Sequence, residues 1–361
     1  TSSAVACLAL ISTWIAYQLS MIKEGFAVVG SEGNAYLLFL QSIPYNAYCW
    51  FTLLLLVLVV WRRYHPGAMR SFEDEARQVQ GEMPSTAETQ PAAASALLPL
   101  GVLLITLFAG FYFFGLEQAV LSGEMSYFPI TADKLAHAFG GDAGPFVMTL
   151  AAVVATLCAI AVYPYRSATV SPVKAFGEGL QSMLAPTLIL IAAWMLSGTL
   201  SDLKAGDLVA RLAGEHLGAW LLPLLIFICG ALISFMTGTS WGTMGILMPL
   251  AIPMVIGHPG VAAEVESAML AAVVGAVFSG AVFGDHCSPI SDTTIVSSIA
   301  CGVEPADHVR TQLPYALLAA VVAAVAGFLP AGLGEPGWLG LISGGLVLTG
   351  WVVFRTRKQP D

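Results

Sequence analysis

Long uncharged stretches recur along the whole chain, and they constrain its fold more than any other feature. They run for about 18 to 25 residues, the length that an α-helix needs to cross a hydrocarbon core of roughly 30 Å. Only 10% of the 361 residues are charged and 57% are hydrophobic, whereas a soluble domain carries about 25% charged residues. The sequence therefore predicts an all-α integral membrane protein with several spans.

The same stretches and the net charge exclude two other classes of protein. The runs are too long and too uniformly apolar for the strands of an outer-membrane barrel, which alternate over about 10 residues. The formal charge of -9 argues against nucleic acid as a partner, because a polyanion requires a basic binding face.

Taking the uncharged runs as helices divides the chain into four parts. These are two transmembrane helices in 1–61, a cytoplasmic linker at 62–96, three transmembrane helices in 97–200, and a C-terminal transport repeat at 201–361. The simple spans are predicted at 3–22, 35–61, 97–116, 145–165, 182–200, 313–332 and 337–354. The linker begins with charged residues and ends in Pro, Thr and Ala, so we expect it to be flexible.

The C-terminal repeat contains two irregular elements before its two final helices. A polar, glycine-rich break interrupts the apolar residues of 218–256, which predicts a hairpin that is either two full spans or a re-entrant loop. The next apolar run meets charge at Asp285 and turns apolar again at Ile295. This pattern predicts a discontinuous helix over 267–302.

Basic residues predict the orientation, because Lys and Arg accumulate in short cytoplasmic loops. With 62–96 and the C-terminus in the cytoplasm, and with 201–217 outside, the inside segments hold ten of the fourteen basic residues. The ten are Arg62, Arg63, Arg70, Arg77, Arg166, Lys174, Arg310, Arg355, Arg357 and Lys358. This orientation requires 218–256 to begin and end on the same side, as a hairpin does. We expect a multi-pass protein of the cytoplasmic membrane.

Two carboxylates fall inside an otherwise apolar region. The predicted topology places 21 of the 23 acidic residues in loops or at span ends and leaves Asp285 and Asp292 in the membrane. A charged carboxylate at the bilayer centre costs about 2.5 to 3.5 kcal/mol, so such residues are functional candidates. The alternative is a polar loop at the membrane surface, but that loop would leave 295–302 without a partner span.

Pro289 explains how a helix opens between these two carboxylates. Proline has no N–H to give the carbonyl of Asp285, and its ring pushes Ser288 out of helical geometry. Ser291 or Asp292 can then cap a second half-helix that continues through Thr293. Freed carbonyls and half-helix ends form ion sites in transporters. We therefore expect Ser288, Ser291 and Thr293 to lie at an ion and proton site in which Asp285 and Asp292 are ligands of Na⁺.

A second polar island follows the first arm of the hairpin. Its hydroxyl groups belong to Thr237, Thr239, Ser240 and Thr243. Oxygen atoms are the ligands that hard cations prefer, so these residues are further candidates for the ion path. The alternative is helix packing through small residues, which membrane helices use widely. His286, beside Asp285, is a candidate proton relay.

Two segments carry a resemblance to a known family. ISFMTGTSWGTMGILMPLAIP at 233–253 and SGAVFGDHCSPISDTTIVSSIACG at 279–302 resemble signature segments of NhaC-type Na⁺/H⁺ antiporters, within the wider ion transporter superfamily. LALISTWIAYQ at 8–18, with the later LLFLQSIPYNAYCW, resembles the middle of longer family members. The resemblance implies a hairpin and a broken helix at the ion site. It also implies helices upstream of Thr1, so we expect the chain to begin part-way through a longer protein.

Together these features predict a secondary antiporter that exchanges Na⁺ for H⁺ by alternating access. One carboxylate would bind either ion but not both, and we expect no cofactor apart from the transported Na⁺ and H⁺. A Na⁺-coupled exchanger of small carboxylates, such as malate and lactate, ranks second because no arginine lies in the apolar spans to bind an anion. An intramembrane aspartyl protease is a remote alternative, since both aspartates lie on one segment. The expected partners are the lipid bilayer, monovalent cations and protons; the sequence leaves open which cation is carried and whether the protein is a homo-oligomer.

Overall fold

The computed structural model describes residues 2–9, 13–31, 33–79, 94–131, 143–163, 171–182, 218–301 and 303–356, with a few isolated positions between 134 and 203. Within these ranges every regular element is a helix. Five of the described helices are long and apolar enough to cross a membrane, and a bent helix pair makes a sixth candidate span. The prediction of a polytopic, all-α membrane protein is confirmed.

The helices are numbered here in chain order. They are α1 Ser2–Leu8, α2 Thr13–Val28, α3 Ala35–Ser42, α4 Ala47–Arg62, α5 Met69–Val79, α6 Ala94–Leu121, α7 Gly144–Ala161, α8 Pro172–Ser182, α9 Leu222–Thr237, α10 Ser240–Val255, α11 Ala263–Cys287, α12 Asp292–Cys301, α13 Pro305–Val322, α14 Leu329–Gly332 and α15 Gly337–Thr356. A π-helical segment joins α13 to α14, so these two form one continuous span.

Helices α1 to α4 cover the two N-terminal spans predicted at 3–22 and 35–61. The first span contains α1 and α2, and residues 10–12 between them lie outside the described residues. The second bends by 47° between α3 and α4, where a short 3-10 turn contains Pro44. Proline cannot continue the backbone ladder, and Asn46 takes a non-helical conformation with φ -78° and ψ 58°. Hydropathy did not show this break, because the residues around it are uncharged.

The linker predicted to be flexible contains a helix, α5. The chain before α5 is attached to the C-terminal helices by two hydrogen bonds. Tyr315 donates its hydroxyl to the carbonyl of Tyr64 at 3.2 Å, and Trp351 Nε1 donates to the Tyr64 hydroxyl at 3.3 Å. A polar sequence between two spans can therefore still contain a helix.

The chain forms two compact units, residues 1–82 with 188–361, and residues 83–187. In the second unit α6 packs against α7, and a Cβ added at Gly110 would lie 2.7 Å from Val147 Cγ1. Most of the helix predicted at 182–200 lies outside the described residues. The candidate site belongs to the first unit.

At the centre of the first unit lies α11, whose side chains are almost all buried from Met269 to Cys287. It packs against α9 through residues four apart, which share one helix face. Gly230 and Ser234 of α9 meet Gly280 and Gly284 of α11. Ser234 Oγ also donates to the carbonyl of Ala281 at 2.7 Å. Small residues at this spacing let membrane helices approach closely.

The predicted hairpin consists of α9 and α10, joined by two residues. Gly238 has a φ of 67°, which ends α9 in the left-handed region that glycine adopts readily. Thr239 caps α10 by accepting the N–H of Gly242 at 3.3 Å. With 16 residues, α10 is shorter than the roughly 20 residues of a full span.

The start of α10 contacts α2. Tyr17 donates its hydroxyl to the carbonyl of Trp241 at 2.7 Å, and the two rings lie 4.7 Å apart. The ring of Trp14 lies 6.0 Å from the same indole. These aromatic contacts hold the tip of the hairpin against the N-terminal part of the chain.

Candidate functional site

The broken helix lies where the sequence predicts it. The last α11 hydrogen bond runs from the N–H of Ser288 to the carbonyl of Gly284 at 2.8 Å, and Ser288 itself is extended. Pro289 follows, and α12 begins at Asp292. The carbonyl of Ser291 accepts the N–H of Ile295 at 2.9 Å, so Ser291 occupies the cap position of α12.

Threonine hydroxyls satisfy the carbonyl that Pro289 leaves without a helical donor. The carbonyl of Asp285 accepts Thr294 Oγ1 at 3.0 Å and Thr293 Oγ1 at 3.4 Å. A buried carbonyl without a donor is costly in a membrane, and these bonds remove that cost. They also tie the end of α11 to the start of α12. The sequence-based expectation assigned such carbonyls to a cation shell, whereas the structure gives this one to hydroxyl donors.

The carboxylate of Asp285 is buried at the break, with 2% of the residue exposed. Ser291 Oγ lies 3.4 Å from its Oδ1, and Thr293 Oγ1 lies 2.9 Å from Ser291 Oγ. A carboxylate and two hydroxyls are therefore contiguous. These three side chains can offer oxygen ligands to a hard cation.

Asp285 lines a cavity of about 640 Å³. The broken helix also contributes His286, Thr293, Thr294 and Ser297 to its wall. Further polar residues come from α13, from α4, and from α5 and the segment before it: Thr311, Gln312, His308, Thr52, His65 and Glu73. The rest of the wall consists of leucine and valine side chains of α4 together with Ser3, Met69, Tyr315 and Ala316. The site is thus a polar cavity with an acidic residue at a helix break.

His286 is held by a residue far away in the sequence. Its Nδ1 lies 2.9 Å from the hydroxyl of Tyr48, and both residues are buried. Its Nε2 is buried without a hydrogen-bond partner in the part of the chain that the structure describes. Sequence reasoning did not identify Tyr48, although this residue lies in the LLFLQSIPYNAYCW stretch that resembles the family.

The hydroxyls of the second polar island serve the hairpin itself. Thr237 and Thr243 donate to the carbonyls four residues before them, at 2.8 and 2.9 Å, and Thr239 caps α10. Neither these three threonines nor the buried Ser240 lines the cavity. Their use as ligands in the ion path stays a prediction.

The hairpin tip nevertheless contacts the broken helix. A Cβ added at Gly238 would lie 2.7 Å from Ile290 Cγ1. Ser288 Oγ accepts the N–H of Ile290 at 3.4 Å and is not among the cavity residues. The backbone of Asp292 begins α12, and its side chain lies outside the described residues.

A buried carboxylate at the break of a discontinuous membrane helix is typical of ion sites in secondary transporters. Comparison with known proteins gives the particular family. The family model described as the Na⁺/H⁺ antiporter family matches residues 5–332. The chain belongs to this family, in which the NhaC antiporters are found. It is a multi-pass membrane transporter and not an enzyme, which removes the protease alternative.

Three relatives illustrate the similarity. An "Uncharacterized protein" of Haemophilus influenzae is 27% identical over 99% of this chain and 67% of its own length. The "Malate-2H(+)/Na(+)-lactate antiporter" of Bacillus subtilis is 33% identical over 47% of this chain and 35% of its own. The "Na(+)/H(+) antiporter NhaC" of Alkalihalophilus pseudofirmus is 37% identical over 36% of this chain and 25% of its own length. The chain thus matches about a third or less of the two named antiporters, and no solved structure matches it.

Proposed function

We propose that the protein exchanges Na⁺ for H⁺ across the cytoplasmic membrane by alternating access. The observation that carries the proposal is the buried carboxylate of Asp285, which meets hydroxyl oxygens at a helix break and lines a polar cavity. One carboxylate binds a proton or a cation but not both at once. Competition for this group couples the two fluxes, because release of one ion permits binding of the other.

We assign to His286 the role of proton relay between the cavity and the carboxylate. It follows Asp285 directly and lines the same cavity. The bond to Tyr48 orients its ring. In this proposal His286 exchanges protons with the cavity, while Asp285 carries either the proton or the cation.

Exchange of a small carboxylate is the second candidate function. The cavity of about 640 Å³ is far larger than one Na⁺ requires, and three imidazoles and an amide line it. The similarity to a malate and lactate antiporter points the same way. No arginine is among the described residues of the cavity wall, so an anion would depend on imidazole and amide donors.

Transport in proteoliposomes tests both functions. The purified protein is reconstituted with a pH-sensitive dye inside, and Na⁺, Li⁺, K⁺ or choline is added outside, each with and without malate. We expect Na⁺ to drive proton movement without malate. Choline should produce no signal. A signal that appears only when Na⁺ and malate are both present would contradict Na⁺/H⁺ exchange and support exchange of a small carboxylate. No cation-driven signal under either condition would overturn both.

The orientation is a second testable part of the proposal. The distribution of positive charges predicts that 62–96 and the C-terminus are cytoplasmic and that 201–217 is outside. Single cysteines at Ser85 and Ala205, introduced one at a time, are treated with an impermeant maleimide in intact cells. Labelling above the native background is expected at position 205 only. Labelling at position 85 and not at position 205 would show that the orientation is the reverse of the one proposed.

A further inference from the structure

A buried polar cluster lies away from the cavity and is not used by the proposed exchange. Cys7 on α1, Gln18 on α2, Asn46 at the break before α4, and Ser279 on α11 are each at most 1% exposed. None of the four lines the cavity around Asp285. Buried polar side chains in membrane proteins are costly unless they have partners, and they mark ion pathways in transporters.

Three hydrogen bonds link the members of the cluster. Gln18 Nε2 and Asn46 Nδ2 both donate to the sulfur of Cys7, each at 3.2 Å. Each amide therefore uses one of its two N–H groups on the same sulfur atom. Asn46 Oδ1 accepts the hydroxyl of Ser279 at 2.6 Å. Gln18 Oε1 is buried and has no donor among the described residues.

The position of Asn46 also departs from its usual role. Asparagine before the first turn of a helix normally caps that helix with its side chain. Asn46 precedes α4 but makes no side-chain cap bond, and its amide joins the cluster instead. The local capping role is thus given up for contacts with α1 and α11.

We infer that Gln18 Oε1, Asn46 Oδ1 and Ser279 Oγ form a second binding site for a monovalent cation such as Na⁺. Amide and hydroxyl oxygens are ligands of hard cations, and a cation would supply the partner that Gln18 Oε1 otherwise lacks. The hydroxyl of Ser279 would turn its lone pairs to the ion. This inference rests on the proposed antiport and adds to it a cation site without a carboxylate.

The nearest acidic group on α11 supplies counter-charge. Ser279 precedes Asp285 by six residues, which is about 9 Å along an α-helix. At that separation in a protein interior, one negative charge attracts a cation by an amount that corresponds to roughly a tenfold change in affinity. The two sites are thus separate in their ligands and linked through charge.

Equilibrium binding of radioactive Na⁺ to the purified protein tests the inference. We expect wild type to bind two Na⁺ per chain at saturation, and Gln18→Leu and Ser279→Ala to bind one fewer. Gln18→Glu keeps an oxygen ligand and adds charge, so it should retain both. Ser42→Ala is the matched control, because Ser42 is equally buried while its hydroxyl bonds the carbonyl of Phe39 within the same helix.

The outcomes separate this inference from the proposed function. If Gln18→Leu and Ser279→Ala bind as much Na⁺ as wild type, the cluster binds only water or packs helices, and the inference is overturned while antiport stands. If they lose one equivalent and Asp285→Asn keeps full exchange, the second site stands and the carboxylate mechanism does not. Should Gln18→Leu fail to fold, the comparison of Ser279→Ala with Ser42→Ala decides.

Discussion

Replacement of Asp285 by Asn is expected to abolish cation-driven proton flux, to the level of liposomes without protein. The change removes both the negative charge that binds the cation and the group that carries the proton. It keeps the size of the side chain, so the bonds from Thr293 and Thr294 to the backbone carbonyl should persist. The measurement is dye dequenching in proteoliposomes with Na⁺ over a range of pH.

Wild type should show competition between the two ions. Because a proton and a cation occupy the same carboxylate, apparent Na⁺ affinity should fall as the pH drops. Asp74→Asn provides the matched control, since Asp74 is an exposed aspartate on α5 that does not line the cavity. Asp292→Asn, compared alongside, tests the second carboxylate of the segment. If both Asp285→Asn and Asp292→Asn retain pH-dependent exchange, the carboxylate mechanism is wrong and the role of the broken helix is structural.

Gly284→Ala is expected to reduce thermal stability and to lower exchange at least tenfold. A Cβ at this position would overlap the Oγ, Cβ and carbonyl carbon of Ser234 on α9. Overpacking of this kind typically costs about 1 to 3 kcal/mol, because neighbouring side chains and backbone must move. Asp285 is the next residue, so the displacement reaches the site directly. Stability is measured by thermal unfolding in detergent and exchange in proteoliposomes.

Two variants separate overpacking from a general effect of alanine. Gly350 on α15 has open space where a Cβ would lie, so Gly350→Ala should be harmless or slightly stabilising, because alanine favours helix over glycine. Adding Ser234→Gly to Gly284→Ala removes two of the three overlapping atoms and should restore part of the stability. Wild-type stability and exchange in Gly284→Ala would show that α9 and α11 can separate without affecting the site.

Several features of the site could be predicted from sequence because their causes are local. Hydropathy identified most of the spans, and a proline four residues after Asp285 was enough to predict a break and a freed carbonyl. Pro44 lies at a second helix break, but no charged residue marks that break in the surrounding apolar run. The helix α5 was missed because the composition of 62–96, charged at its start and rich in Pro, Thr and Ala at its end, is typical of a flexible linker.

Amino-acid sequence alone determined that this chain spans a membrane, that its carboxylate lies at a broken helix, and that the family is the Na⁺/H⁺ antiporters. Tertiary structure decided which groups meet. Tyr48 reaches His286 across 238 positions, and Ser279 reaches Asn46 across 233. Hydropathy and proline effects act within a few residues, whereas a buried polar side chain takes its partner from whichever helix packs beside it. That packing depends on the fit of small residues such as Gly230 and Gly280 along whole helix faces.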